Sequence, residues 1–189
     1  MATWTDISGN ARAFSAIGDP TWSATSGPNG SPAFTFPSGT GQYYDSDDPA
    51  GTWSFINNGG GFSAFVVAEQ GPEELMCFAC TADFSTAGLG WSFAIDARNR
   101  VGDFGNLSSF VGGVQGIGIA TTSSQFGPLG ETDVRNAPHI FHTVWGGDGQ
   151  NINVGADGVI LHDVAPKQNG IDSDPIATMR LGEFHNIPF

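Results

Sequence analysis

The residues whose types and spacing could support chemistry form one cluster and two sparse sets. In the cluster, two tyrosines precede three aspartates: Tyr43, Tyr44, Asp45, Asp47 and Asp48. Clustered carboxylates on a loop suit calcium, and flanking aromatic rings can stack on sugar faces. The spacing lacks the glycine and the distal glutamate of an EF-hand loop. A solvated acidic turn, a calcium site and a sugar contact therefore stay open, and no other cofactor is expected.

The first sparse set is the glutamates, whose spacing does not suit glycoside hydrolysis. Glycosidases place a general acid and a second carboxylate so that both face one groove. No such pair or E-x-D-x-E array occurs among Glu69, Glu73, Glu74, Glu131 and Glu183. A G-x-S-x-G motif is absent, and the glycine pair at 112–113 lacks the lysine of a phosphate-binding loop. We therefore predict that the protein is not an enzyme.

The second sparse set consists of Cys77 and Cys80 with His139 and His142, which have the spacing of a four-ligand zinc site. Both pairs lie in strand-like segments, where residues three apart point to opposite faces. The ligands would diverge, and the two cysteines could not readily bridge each other. We expect two buried, reduced cysteines and no zinc.

The composition predicts a single all-β domain spanning residues 1–189. Of the 189 residues 28 are glycine, while charged residues make up only 13%. Hydrophobic residues reach 39%, and the 15 phenylalanines and five tryptophans can form a substantial core. Many glycines, few charges and scattered aromatics are typical of short strands joined by tight turns. We predict roughly ten to twelve strands in two antiparallel sheets.

The formal net charge of −13 excludes several classes of partner. An acidic surface repels the phosphates of nucleic acids and the headgroups of anionic membranes. No apolar run is long enough to span a bilayer, so neither a nucleic-acid nor a membrane partner is expected. The N-terminus has neither a basic segment nor an apolar one, so we expect no secretory signal.

Hydrophobic alternation predicts the strands individually. Strands are expected at 33–36, 51–56, 62–69, 91–98, 114–121, 139–145 and 179–182, with a hairpin over 151–161 that turns at Asp157-Gly158. The strand at 62–69 is apolar on both faces, with Phe65 and Val67 opposite Phe62 and Val66, so we expect it in the middle of the sandwich. The predicted core comprises Phe62, Val66, Trp91, Phe93, Ile95 and Trp145.

Several short motifs resemble concanavalin A-like lectin/glucanase domains, of the laminin-G-like kind found in phage and bacterial surface proteins. Residues 4–12 and 29–34 resemble the pattern W-x-D-x-S-G-N-x-R … N-G-x-P-A. Phe62–Ala68 looks like the central strand of that family, residues 145–158 like its V-x-D-G hairpin, and 181–182 like its late L-G strand. The resemblance implies a two-sheet antiparallel jelly-roll sandwich.

The same resemblance leaves two functions open. We predict a non-catalytic phage virion protein, a capsid decoration protein or a tail or fibre module, assembled in the host cytoplasm. The alternative is a carbohydrate-binding module at a bacterial cell surface. Domains of the family usually carry outer strands that are missing here, so open sheet edges are expected to pair with other virion proteins or with copies of the same chain. Surface glycans are the other expected partners.

Overall fold

The computed structural model describes residues 3–5, 9–36, 41–56, 60–69, 75–82, 90–96, 106–112, 120–125, 137–147, 150–164 and 177–183. These residues form fourteen strands and two short 3-10 segments, Pro28–Gly30 and Ala50–Ile56. The strands are β1 (Thr3–Thr5), β2 (Ala13–Ile17), β3 (Thr21–Ser23), β4 (Ala33–Thr35), β5 (Tyr43–Ser46), β6 (Phe62–Ala68), β7 (Leu75–Cys80), β8 (Gly90–Asp96), β9 (Asn106–Gly112), β10 (Ala120–Gln125), β11 (His139–Trp145), β12 (Ile152–Ala156), β13 (Val159–Val164) and β14 (Arg180–Gly182).

The strands are arranged in two main sheets and a small ribbon. The first sheet has eight strands in the order β1-β2-β5-β14-β7-β8-β9-β10, and the second has four in the order β13-β12-β11-β6. Strands β3 and β4 form a separate two-stranded ribbon. Every pairing in these sheets is antiparallel. This arrangement confirms the predicted all-β jelly-roll sandwich and adds the ribbon.

The core lies between the two main sheets and is largely aromatic. Trp91, Phe93 and Trp145 are buried as predicted, at 3%, 1% and 3% exposure. Phe62 and Val66 are half-buried and pack against the same core, while the side chain of Ile95 lies outside the described residues. The ring centroids of Phe62 and Trp91 are 5.2 Å apart, which joins the second sheet to the first.

The ribbon and the longer 3-10 segment pack against the β1, β2 and β5 end of the first sheet. Phe34 of the ribbon contacts Tyr44 of β5 at 5.0 Å between ring centroids. Trp53 of the 3-10 segment contacts Phe14 of β2 at 5.8 Å. The prediction of a strand over 51–56 is wrong, because Trp53 and Ile56, three residues apart, are the buried pair of this segment, and that spacing matches the 3-10 period.

The paired cysteines lie on one side of β7, which corrects the prediction that they face opposite ways. The register between β7 and β8 shifts between Cys77 and Ala79, so Phe78 is the extra residue of a bulge. Phe78 packs into the main core, whereas Cys77 and Cys80 form a separate buried cluster with Ala82. Both cysteines are free and buried, as predicted.

The remaining strand predictions are confirmed, except for one that the structure describes only in part. The strand predicted over 114–121 lies mostly outside the described residues, and β10 begins at Ala120. Strands β11 and β14 and the β12–β13 hairpin occur where the alternation predicted them. Among the described residues, no helix is long and apolar enough to cross a membrane.

Candidate functional site

The predicted tyrosine–aspartate cluster spans β5 and the turn after it, and the alternation of the strand divides it. Tyr44 points into the core and is 1% exposed. Tyr43 and Asp45 lie on the opposite, outer face of the first sheet and are half-buried. Asp47 is exposed in the turn, and Asp48 is half-buried. The structure therefore does not bring the five residues together on one surface.

Tyr43 and Asp45 instead form a small polar group with residues from β14 and the segment before it. Arg180 Nε donates to Asp45 Oδ2 at 3.4 Å, and the Thr178 hydroxyl donates to Asp45 Oδ1. The guanidinium carbon of Arg180 lies 4.1 Å from the centroid of the Tyr43 ring. These contacts hold a cation against an aromatic face on the outer side of the first sheet.

Asp45, the first carboxylate of the predicted calcium site, has side-chain partners among the described residues. Asp45 already accepts hydrogen bonds from Thr178 and Arg180, so its carboxylate is neutralised by a side chain. No group of three or more histidine, cysteine, aspartate or glutamate residues within the described ranges is placed to hold a metal ion. Asp47 and Asp48 lie in the turn after β5, and the calcium interpretation of Asp45, Asp47 and Asp48 stays a prediction.

An exposed apolar surface lies on the outer face of the second sheet. We define the outer patch as Phe65, Val67, Ile140 and Ile160, which are 68%, 60%, 50% and 57% exposed. Val67 lies directly opposite Ile140 across β6 and β11, and Gly155 of β12 pairs with Ile160 of β13. The members of the patch thus lie on β6, β11 and β13, and Gly155 of β12 lies beside Ile160.

His142 lies within the outer patch and is buried by its neighbours. It pairs with Phe65 on one side and with Gly155 on the other, and its ring centroid is 6.1 Å from that of Phe65. Burial lowers the pKa of His142, so the imidazole is neutral at physiological pH. The histidine therefore adds no charge to the patch.

Strand β6 has the two apolar faces that its sequence predicts, but its position differs from the expectation. It is the edge strand of the second sheet in the described chain, since its one neighbour there is β11. Its inward residues pack on the core, whereas Phe65 and Val67 face outward and are exposed. The prediction that this strand lies in the middle of the sandwich, covered on both faces, is wrong for the single chain.

The carboxylate of Asp157 lies beside Ile140 of the outer patch. Asp157, in the turn of the β12–β13 hairpin, accepts from the backbone N–H of Ile140 through Oδ1 at 3.0 Å. Its Oδ2 is 2.6 Å from Nδ1 of His139. Partial burial raises the pKa of Asp157, but the hydrogen bonds from His139 and Ile140 and the charge of His139 outweigh it, so the pKa lies below its ordinary value. This carboxylate fastens the hairpin to β11.

A second exposed apolar feature is on the ribbon. Trp22 is 58% exposed and lies directly opposite Phe34 across β3 and β4. Phe34 is anchored on Tyr44 and on Trp4, with 5.8 Å between the Phe34 and Trp4 ring centroids. The described ribbon and its connecting turn, residues 21–36, contain no charged side chain. An exposed indole on a fixed, neutral support can stack on the apolar face of a sugar ring.

Comparison with known proteins finds similarity to solved structures alone. No protein-family model matches the sequence, and no curated protein matches it either. The fold is similar to the crystal structure of an endo-β-1,4-glucuronan lyase from the fungus Trichoderma reesei, with a TM-score of 0.43 and 18% sequence identity. The likeness covers 95% of this chain and 77% of the lyase chain. It assigns no substrate and no residue role to this protein.

The similar structure is that of an enzyme, which contradicts the prediction that this protein is not one. That prediction depended on the missing carboxylate pair, and a carboxylate pair is a requirement of hydrolysis by glycosidases. A lyase cleaves by elimination and needs no second carboxylate to act as nucleophile or to activate water. The spacing of glutamates therefore could not exclude catalysis as a whole, and the prediction is not retained.

The sequence contained a signal for the outer patch, although the predicted site residues lay elsewhere. The alternation of Phe62–Ala68 placed Phe65 and Val67 on a second apolar face. What it did not contain was the position of the strand in its sheet, which depends on pairing with β11, far along the chain. Ile140 and Ile160 join the patch only through that pairing and through the hairpin.

Proposed function

We propose that this protein is a structural component of a phage virion, either a capsid decoration protein or a tail or fibre module. The observation that supports the proposal is the outer patch. A sheet that is apolar on both faces is stable in water when both faces are covered, and the described chain covers only the inner one. Large exposed apolar patches mark surfaces that contact other proteins.

The charge distribution is in keeping with a surface-bound structural role. The chain has a net charge of −13, which keeps it soluble before assembly. The members of the outer patch are uncharged, so the apolar contact can form without removing ions from water. In the proposed role the protein is made in the host cytoplasm, where virions assemble, and its partners are other virion proteins or its own copies.

The experiment is to purify native particles and identify their proteins by mass spectrometry and cryo-electron microscopy. We expect the protein at a fixed copy number, with Phe65 and Ile140 covered in the particle map. Virions assembled with Phe65→Ser should lose most copies, whereas Trp22→Ser, which changes an equally exposed residue elsewhere, should leave the copy number unchanged. Particles that lack the protein would refute the proposal.

A second candidate function, a carbohydrate-binding module at a bacterial cell surface, is favoured by the ribbon. Trp22 provides an exposed ring on a neutral support, the chemistry that holds a pyranose. This function predicts binding to a glycan panel that Trp22→Ala weakens about tenfold or more, since stacking contributes about 1–3 kcal/mol. The Phe65→Ser variant serves as the matched control and should bind glycans normally.

A further inference from the structure

We infer that His142 is an acid-sensitive switch on the outer face of the second sheet: the neutral ring packs over Gly155, and the protonated ring turns out into solvent. The switch is a property of the chain itself, so it goes beyond the proposed function and holds whatever covers the outer patch. Its effect is to place a positive charge beside Phe65 in mildly acidic solution while the rest of the fold is retained.

The ring of His142 is enclosed by residues from the three other strands of its sheet. Phe65 of β6 lies directly opposite His142, with 6.1 Å between the ring centroids. Gly155 of β12 lies opposite on the other side, and a Cβ there would overlap Cε1 and Nε2 of the imidazole. Ile160 of β13 pairs with Gly155. As a result His142 is only 8% exposed, although it lies on the outer face of the sheet.

These neighbours of the ring offer no counter-ion. Phe65 and Ile160 are apolar, and Gly155 has no side chain, so a proton on the packed ring would create a charge that its surroundings do not neutralise. Burial lowers the pKa of His142 for the same reason. The packed arrangement therefore belongs to the neutral imidazole.

The charged and titratable residues on the surrounding strands lie further along the sheet. Each is at least two residues along its strand or hairpin from His142 or from the position beside it: Glu69 after β6, His139 on β11, Asp157 in the hairpin turn, and His162 and Asp163 on β13. Asp157 is already bonded to His139 and to the N–H of Ile140. Asp163 pairs with Asn153, and not with Gly155. No carboxylate on these described strands is therefore placed to hold a protonated ring over Gly155.

Protonation should free the ring without unfolding the sheet. Phe141 and Thr143, on either side of His142 in β11, are both 0% exposed and hold the strand on the core. His142 points the opposite way, since side chains alternate along a strand. Rotation of its side chain is therefore enough to bring the imidazolium into water, and strand pairing need not change.

The pH range of the switch follows from the direction of the pKa shift. The folded-state pKa of His142 lies below its ordinary value of 6.5. The stabilisation by the packed neutral ring is therefore fully present above pH 6.5 and is lost as the pH falls through the folded value. The pKa of Asp157 lies below its ordinary value of 3.8, so this carboxylate stays charged in mildly acidic solution and keeps the hairpin on β11. An apolar contact made by the outer patch should weaken at a pH at which the fold survives.

The experiment is a proton NMR titration of the purified chain from pH 8 to pH 4.5. We expect the His142 ring to titrate with a midpoint below 6.5, and its nuclear Overhauser contact with the Gly155 α-protons to disappear as it is protonated. Phe65→Ala opens one side of the ring at an exposed position, so it should raise the midpoint. Phe55→Ala, at an exposed position on the 3-10 segment that packs on the first sheet, is the matched control and should not change the midpoint.

Urea denaturation at pH 7 and at pH 5 provides a second measurement. The wild type should lose free energy of unfolding between the two pH values, because the unfolded chain takes up a proton that the packed ring excludes. His142→Gln keeps a neutral side chain at both pH values and should lose less. Equal losses in the two proteins would contradict the switch.

Three results of the titration would overturn the inference. A midpoint at or above 6.5 would show that the packing does not exclude the proton. A contact with Gly155 that persists in acid would show that the charged ring stays in place. A midpoint that Phe65→Ala leaves unchanged would show that the neighbours on the outer face do not control it. None of these results touches the proposed virion role, which depends on whether the protein is found in the particle.

Discussion

The imidazole of His142 occupies the space above Gly155 on the outer face of the second sheet. A Cβ on residue 155 would lie 2.3 Å from Cε1 of His142 and 2.1 Å from the backbone oxygen of Val159. The glycine is therefore required by the close approach of a side chain and a backbone carbonyl. It also lets the hairpin bring Ile160 alongside the histidine.

Replacing this glycine should destabilise the protein. Gly155→Ala forces the β12–β13 hairpin and the His142 ring apart, and we expect a loss of about 1–3 kcal/mol in the free energy of unfolding. Urea denaturation measures the change. Gly51→Ala is the control, since a Cβ at residue 51 meets nothing within 4 Å. Equal losses in the two variants would show that His142 does not pack on residue 155.

The aromatic core should be sensitive to truncation at Phe93. This side chain is 1% exposed and contacts Phe78 at 5.0 Å between ring centroids. Phe93→Ala should cost about 3–5 kcal/mol, the usual penalty for a buried aromatic. Trp22→Ala removes a larger but mostly exposed ring and should cost less than about 1 kcal/mol. A denaturant melt in which Phe93→Ala lost under 1 kcal/mol would contradict the assigned register.

The hydrogen bonds of Asp157 to His139 and Ile140 should make the free energy of unfolding depend on pH in the acid range. Because the folded-state pKa of Asp157 is lowered, its contribution is fully present above the unfolded pKa and is lost as pH falls through the folded value. Asp157→Asn should therefore lower the melting temperature at pH 7 and approach the wild type below about pH 4. Asp47→Asn, at an exposed turn, is the control. A difference between Asp157→Asn and wild type that grows toward low pH would refute the assignment.

The two cysteines should be inert in the native protein. Cys77 and Cys80 are 1% and 0% exposed. Burial raises the pKa of the Cys77 thiol, and the neighbouring Cys80 side chain raises it further. The reactive thiolate of Cys77 is therefore scarce. Both side chains are shielded from solvent, so alkylation by iodoacetamide at pH 8 should be slow until denaturant is added. Mass spectrometry should then count two modified cysteines; fast labelling of the native chain would contradict the described burial.

Alternation predicts β11 and the β12–β13 hairpin well. His139–Trp145 has the predicted bounds, and the Asp157-Gly158 turn falls where the hairpin was expected. Both follow from local chemistry, since inward and outward residues alternate along a strand and an Asp-Gly pair suits a tight turn. The 3-10 segment Ala50–Ile56 could not be distinguished from a strand, because its short apolar run fits either period.

The surroundings of the candidate site depend on strand pairing between distant segments and not on local spacing. Carboxylate spacing in the sequence selected Asp45, Asp47 and Asp48, but strand pairing joins Asp45 to Arg180, 135 residues away. The bulge at Phe78 likewise reversed the expected faces of the two cysteines. Neither effect is local, because a bulge or an ion pair depends on which strand lies alongside.

By itself the sequence determined the all-β class, the aromatic core and the two apolar faces of β6, since these follow from composition and from a period of two residues. Only the tertiary structure decided that β6 is the edge strand of the sheet among the described residues and that Phe65, Val67, Ile140 and Ile160 share one exposed surface. The physical reason is that alternation states which side chains face the same way, whereas the order of strands in a sheet is set by contacts between segments far apart in the chain.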